Sequence, residues 1–447
     1  MIKIFISEEQ TMTRNLFFFR LLLLVQCFNV HGYISDTIIP TPELNGVFNR
    51  PKAIVITPDG KYAYVNNLGP VSTSLGSVSV IDIATNSVIL TPGLESGFNN
   101  PQAIAITPDG AHVYVACASS GSVVVVDTAS NTIETNITGF GYTTDIAITP
   151  DGQYAILLSD TNLVVISTAS NTVVQTLSLG ALSSPNAITL SKDGRYAYVG
   201  NLFASVQVVD LQTYTILDTP QFVGTFGFIQ LVATTPNGKY IYVTNGNFNS
   251  VSVIDVASNT IIPTPYLASG FDGPFGIGIT PDSSSTYIVN PAGNSVSRID
   301  VATNTILPTP GLASGFDNPQ EIVITPNGKY AYVTDVNNNS VTVFFIGLNP
   351  PLNFMACKRK NTFLLQADHY NHLTWTAPTT GNPPASYAIY DDAQLTELVA
   401  IVPAGECLQY NDHNKSSCLD YTYYIVSVDT AGNTSVPAVA TTTNCCC

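Results

Sequence analysis

Between Ala53 and Phe345 the chain alternates short apolar runs with brief polar breaks. The runs are four to six residues long, as in "AIAIT" (Ala103 to Thr107), "YAYV" (Tyr62 to Val65) and "SVSVID" (Ser77 to Asp82). Alternation on this scale marks short strands, and the 3.6-residue spacing of an amphipathic helix is not visible. The breaks are as regular as the runs. A Thr-Pro-Asp-Gly turn, or a close variant, carries Pro58, Pro108, Pro150, Pro236, Pro281 and Pro326, and "LSKDG" puts Lys192 in the same place between the third and fourth. Pro fixes φ at the second position of a type I turn, and Gly is free to go left-handed at the fourth.

Successive turns lie 50, 42, 42, 44, 45 and 45 residues apart. Each unit holds four short strands, the last entered through "ATN" or a variant, as in "NTIIPT" (Asn259 to Thr264). Seven such units predict the blades of a β-propeller. The seventh unit runs through "SVTVFF" (Ser340 to Phe345) and then lacks a fourth strand. "DTIIPTP" (Asp36 to Pro42) is a fourth strand with no unit before it. The expected fold class is therefore all-β. A seven-bladed propeller over residues 33–348 is closed by its N-terminal strand, which removes exposed edges.

These blades resemble the "YVTN" propeller repeats of bacterial and archaeal surface-layer and secreted proteins. The motif is literal at Tyr242 to Asn245, with "TPDGKYAYV" and "SVSVID" in a sister unit. The resemblance implies the fold and no particular reaction, because the family is defined by its repeat.

After Pro350 and Pro351 the pattern changes. Residues 349–440 hold the only Trp and the alternating runs "NHLTWTAP", "ASYAIYDD" and "YTYYIVSVDTAGNTS". This segment resembles a bacterial fibronectin type III domain. The resemblance makes Trp375 the core Trp, Tyr421 the corner tyrosine and "VDTAGN" the hairpin between the last two strands of a sandwich that serves as spacer or contact module. Cys407 and Cys418 bracket ten residues, and a disulfide between them would close a hairpin. Cys357 has candidate partners in Cys445 to Cys447 of a Cys-rich tail, 441–447, but that pairing is not readable from sequence. The tail cross-links chains or is unselected terminal sequence. No metal is expected, since no second ligand cluster accompanies the three thiols. Cys117 reads as a buried, inert thiol.

Net charge is −16, so phosphate backbones repel this surface and nucleic acid is not an expected partner. From Met12 the chain reads "MTRNLFFFRLLLLVQCFNVHG", a basic start, an apolar run and a small-residue exit at Val30 and Gly32. Residues 1–32 are read as a signal peptide, with Met12 an alternative start because Glu8 and Glu9 fit a basic region poorly. The run falls short of the roughly 20 apolar residues of a membrane span. A secreted, periplasmic or cell-surface location follows.

Residues repeated in every unit are read as packing, because a ligand site breaks symmetry. The Tyr pairs, such as Tyr62/Tyr64 and Tyr196/Tyr198, are expected to fill gaps between blades. Asp82, Asp127, Asp210, Asp255 and Asp300 are expected to accept backbone N–H bonds in turns. Calcium on these carboxylates is the lesser alternative, and no other cofactor is expected. Aligning the first strands gives one ring of Lys52, Gln102, Thr144, Asn186, Gln230, Phe275 and Gln320. The next ring is Ala53, Ala103, Asp145, Ala187, Leu231, Gly276 and Glu321. Asp145 and Glu321 replace small or apolar residues and, with Lys52, form a polar pocket at the channel mouth or an ordinary solvated lining. The candidate ligand-binding residues are Lys52, Gln102, Asp145, Asn186, Phe275, Gln320 and Glu321; none is assigned as catalytic. The propeller carries one His, His112, and no G-x-S-x-G elbow, which leaves little for nucleophilic catalysis. The leading expectation is an exported, non-catalytic binding or adhesion protein with a protein or glycan partner. Seven-bladed sugar lactonases look similar at the level of the ring, so a lactonase-like or other hydrolase is the alternative. A structural surface-layer component is the third reading.

Overall fold

A computed structural model describes residues 36–73, 75–180, 184–203, 205–219, 222, 226–346, 351–363, 366–377, 384–405, 408–413, 415–416, 419–428, 434–435 and 438–444. The proposed signal peptide, Cys407, Cys418 and the terminal cysteines lie outside these. The chain divides into two compact units, Asp36–Ile346 and a second over Gly347–Cys447. Among the described residues no helix is long and apolar enough to cross a membrane.

The first unit consists of propeller-like blades, seven open antiparallel sheets in the described residues. We number them blades 1 to 7 in chain order. Blade 5 shows the plan: Ile229–Thr234, Tyr240–Asn245, Ser250–Asp255 and Thr260–Ile262 pair in sequence order. In blade 7, Pro319–Ile324, Tyr330–Asp335 and Ser340–Phe345 are completed by Thr37–Ile39, with Thr37 opposite Phe345. The first strands of neighbouring blades touch in order, and that of blade 7 touches that of blade 1.

The turn between first and second strands repeats its chemistry. In blade 1, Gly60 N–H donates to Thr57 O at 2.8 Å, and Asp59 Oδ1 accepts Thr57 Oγ1 and Lys61 N. Gly60 sits at φ 73°, where only Gly is unstrained. It also faces the turn Pro of the preceding blade: Pro326 Cδ lies 3.5 Å from the Cβ that Gly60 lacks, and Pro58 faces Gly110 likewise at 3.1 Å.

Each letter of Tyr242-Val243-Thr244-Asn245 has a separate task. Tyr242 is fully buried and its hydroxyl donates to Asn304 Oδ1 of blade 6 at 2.8 Å. Val243 fills the core. Thr244 Oγ1 donates to Phe275 O of blade 6 at 2.9 Å. Asn245 Nδ2 reaches Ser250 and Ser252 on the third strand of its own blade. The Tyr-to-Asn bond recurs from Tyr64 to Asn131, Tyr114 to Asn171 and Tyr198 to Asn259, and from Tyr332 of blade 7 to Asn86 of blade 1. These Asn residues hold φ near 50° in the turn before the fourth strand. The second member of each Tyr pair fills the gap, and Tyr196, Tyr240 and Tyr330 pack, partly buried, against the same clusters as their partners; Tyr62 departs from this. Tyr62 is 37 % exposed, because it lies at the end of its strand, beside the turn.

Two blades break this pattern. Blade 3 has buried Ile156 in place of Tyr, and the matching turn position in blade 4 is Tyr214, which packs against Ile156's cluster. Tyr287 of blade 6 meets no Asn, because the fourth strand of blade 7 comes from the N-terminus. Asp36 precedes that strand as Asn259 precedes its own: "SDTIIP" against "SNTIIP". Asp36 is buried with Arg298 Nη1 3.7 Å away, and Arg298 stands where blade 5 has Val253. Burial raises the Asp36 carboxyl to about 6 against the pull of Arg298.

In the second unit, Leu352–Phe363, Gln366–Thr376, Gln409–Asp412 and Thr443–Asn444 form one sheet. Ser386–Tyr390, Leu398–Pro403, Thr422–Val428 and Ala438–Thr441 form another. Trp375, Tyr387, Tyr423 and Ile425 share a buried core. Tyr421 Oη accepts Ser416 N–H at 3.1 Å.

Candidate functional site

The first strands are not regular. Their pairing with the second strand shifts between Pro51 and Ile54, Thr143 and Ile146, Ile229 and Val232, and Pro319 and Ile322. Lys52, Asp145, Gln230 and Glu321 fall inside these irregularities. A bulge bends its strand and re-aims its side chains, so here the two sequence rings turn toward a common space. In blade 6 the first strand shortens to Ile277–Ile279. Gly276 lets it come close to blade 7: a Cβ there would lie 2.4 Å from Gln320 O and 3.0 Å from Glu321 Cα.

The space is a cavity of about 300 Å³. Lys52, Gln102, Asp145, Asn186, Phe275 and Glu321 all line it; Gln320 does not, and its Nε2 donates to Asn318 Oδ1 at 3.0 Å instead. Tyr142, Thr144 and Gln230 also line it. Thr144 and Gln230 were visible in the ring alignment, but nothing in their residue type set them apart.

Charge in this cavity is poorly solvated. Lys52 Nζ donates to Gln102 Oε1. Burial lowers the Lys52 pKa, while Glu321 and Asp145 hold its charge in place. Burial raises Asp145 to about 7, although the N–H groups of Ile188 and Ile146 and the Lys52 charge oppose this. Glu321 rises to about 8, first by burial and then by repulsion from Asp145. All three keep partial solvent contact through the cavity. One ammonium and two carboxyls that titrate near neutrality thus share a small volume, a pattern concentrated at functional sites.

The two carboxyls do different work. Asp145 Oδ1 accepts Ile146 N–H and Oδ2 accepts Ile188 N–H of blade 4, both at 2.8 Å. It ties blade 3 to blade 4. Asn186 is similarly occupied, since its Nδ2 donates to Ile229 O and Gln230 O of blade 5. Glu321 takes one backbone N–H, from Ile322, so its carboxyl is the more available of the two. The five turn aspartates instead accept N–H groups locally, for example Asp82 from Thr85 and Asp300 from Thr303. Among the described residues no group of three or more His, Cys, Asp or Glu is placed to hold a metal ion. Cys117 is a free thiol, fully buried, and burial raises its pKa to about 11.

Comparison with known proteins points to the same architecture. The family described as "Lactonase, 7-bladed beta-propeller" matches residues 34–141, the N-terminal strand and blades 1 and 2. No curated protein matches the sequence. Among solved structures, Kuenenia stuttgartiensis hydrazine synthase is similar at a TM-score of 0.57 and 23% identity, covering 71% of this chain and 99% of that one. The β-propeller domain of Myceliophteria thermophila Cps50 (Swd1) is similar at a TM-score of 0.56 and 10% identity, covering 70% and 100%. At these identities the likeness concerns the fold alone.

Proposed function

We propose that the cavity at the channel mouth is a hydrolytic site for a small ring ester, with Glu321 as general base and acid and Lys52 as the cation that receives developing negative charge. The observation that carries this reading is Glu321, raised to about 8 beside Lys52 in a partly desolvated cavity. The lactonase-family match over blades 1 and 2 supports it. Ionised Glu321 takes a proton from water as the water oxygen bonds to the lactone carbonyl carbon. The carbonyl oxygen becomes an oxyanion beside the Lys52 ammonium. When the ring C–O bond breaks, the leaving oxygen takes the proton back from Glu321, giving one hydroxy acid from one lactone and one water. Asp145 and Asn186 keep the cavity walls in place.

A panel of five- and six-membered lactones tests this on the full chain. The rate should rise as pH passes through about 8, where Glu321 ionises. Glu321→Gln should lower kcat by roughly 10²- to 10⁴-fold, the usual contribution of a positioned acid or base. No turnover of any lactone, or turnover unchanged in Glu321→Gln, would sink the reading.

The other expectation, a non-catalytic site for a protein or glycan, is favoured by one observation. Asp145 and Asn186 spend their polar atoms on neighbouring backbone, which makes a rigid cup. That reading predicts retention of a glycan or protein without turnover. In either case we read the seven sheets as one YVTN-type propeller closed by Thr37–Ile39. The second unit is read as fibronectin-III-like on the strength of Trp375 in its core and the Tyr421 hydroxyl bond. Export, with a Cys407–Cys418 disulfide, belongs to the same proposal.

A further inference from the structure

The cavity is not chemically uniform. Its charged groups come from blades 1, 3 and 7, as Lys52, Asp145 and Glu321. Blades 5 and 6 contribute Gln230, Leu231, Val232 and Phe275, none of them charged. Outside that uncharged side stands a run of exposed rings. Phe203 is 60 % exposed, Phe248 61 % and Phe228 37 %. Single exposed apolar side chains need no explanation, but contiguous ones mark contact sites.

These three are contiguous with each other and with the cavity. Phe203 and Phe228 meet edge to face, with centroids 6.2 Å apart. The Phe248 ring covers Gly227, where a Cβ would lie 3.1 Å from it. Gly246 N–H donates to Phe228 O at 2.8 Å, and a Cβ on Gly246 would lie 3.2 Å from Nε2 of the cavity residue Gln230. Phe228 also stands where Tyr142, itself a cavity-lining residue, stands in blade 3, two residues before the ring position.

Resting on the reading of this cavity as the substrate site, we infer that the substrate is amphipathic. Its polar ring lies among Lys52, Gln102 and Glu321, and an alkyl or aryl tail leaves past Phe275 and Gln230 onto Phe228, Phe203 and Phe248. A wholly polar sugar lactone would leave those rings in water. A tail removes them from it and adds affinity for each methylene it buries.

The test is a series of five-membered lactones with straight chains of increasing length, assayed for turnover on the full chain and for binding to Glu321→Gln by calorimetry. Affinity should tighten about two- to fourfold per added methylene over the first few carbons. In Phe203→Ser with Phe248→Ser, that gradient should flatten while turnover of the unsubstituted lactone is unchanged. A thermal melt confirms that this variant is folded. Equal kcat/KM at every chain length, or the same gradient in the Phe variant, overturns the inference while hydrolysis stands. No turnover, but chain-length-dependent binding that the Phe variant loses, overturns hydrolysis and supports the inference. Neither turnover nor binding overturns both.

Discussion

The Tyr242 hydroxyl is a small group with a large share in the interface between two blades. It donates to Asn304, whose own backbone is left-handed in its turn. Tyr242→Phe should therefore destabilise by about 0.5–1.5 kcal/mol, the net value of one such bond. Tyr62→Phe, on the exposed first position, should stay within about 0.5 kcal/mol of wild type. Urea unfolding of the two variants decides it, and equal midpoints would remove the bond from the account. The Tyr ring was legible in the sequence because burial follows from alternation. The Asn was legible only as a turn residue. Its second task was hidden because its Tyr partner lies 62 positions earlier, in the preceding blade.

At the scale of the element, Ile156 and Tyr214 form a compensating pair. Blade 3 gives up the ring, and the turn of blade 4 supplies one from the opposite side. Ile156→Tyr alone should overpack the gap at a cost of about 1–3 kcal/mol. Adding Tyr214→Asn restores the arrangement of the other blades and should recover at least about 1 kcal/mol of that, since residues that share one packed cluster couple. A double-mutant cycle by chemical denaturation measures the coupling, and additive losses would contradict it. The strands and turns of each blade were readable from Pro, Gly and alternation. The irregularities that swing Lys52, Asp145 and Glu321 into one cavity were not, because a bulge leaves the apolar pattern almost untouched. Ring alignment still found most of the lining, since it asked where symmetry fails. It could not separate Glu321 from Asp145, because the Ile188 N–H that occupies Asp145 lies 43 residues away.

At the scale of the whole molecule, the seam between blades 6 and 7 is the one gap in which Asp replaces the Asn of the Tyr contact. Asp36 and Arg298 replace Asn and Val there, both buried. Because burial raises Asp36 to about 6 from its ordinary 3.8, its contribution is fully present below about pH 4 and is lost as pH rises through 6. Asp36→Asn keeps the neutral group that the fold favours while Arg298 still donates to Ser285, so it should cost little below pH 4 and abolish the loss of stability between pH 4 and 7. Asp36→Asn with Arg298→Val copies blade 5. It should be neutral or up to about 4 kcal/mol more stable, with a flat stability profile between pH 4 and 7. Unfolding series at several pH values check both statements; a single or double variant whose stability still falls between pH 4 and 7 would refute them.

The pairing of Thr37 with Phe345 also sets an order of events. Thr334 reaches Lys52 across 282 positions, and Tyr332 reaches Asn86 across 246. Contacts this distant in sequence are slow to form, because a long loop must close before they return any energy. During synthesis Thr37–Ile39 emerges before all seven blades, and its partner is the last of the seven to follow. A nascent chain that stops before Ser340 leaves Thr37–Ile39 an open strand edge, exposed to other chains. The molecule's most vulnerable interval is therefore the time between that strand leaving the ribosome and the seventh blade arriving to meet it.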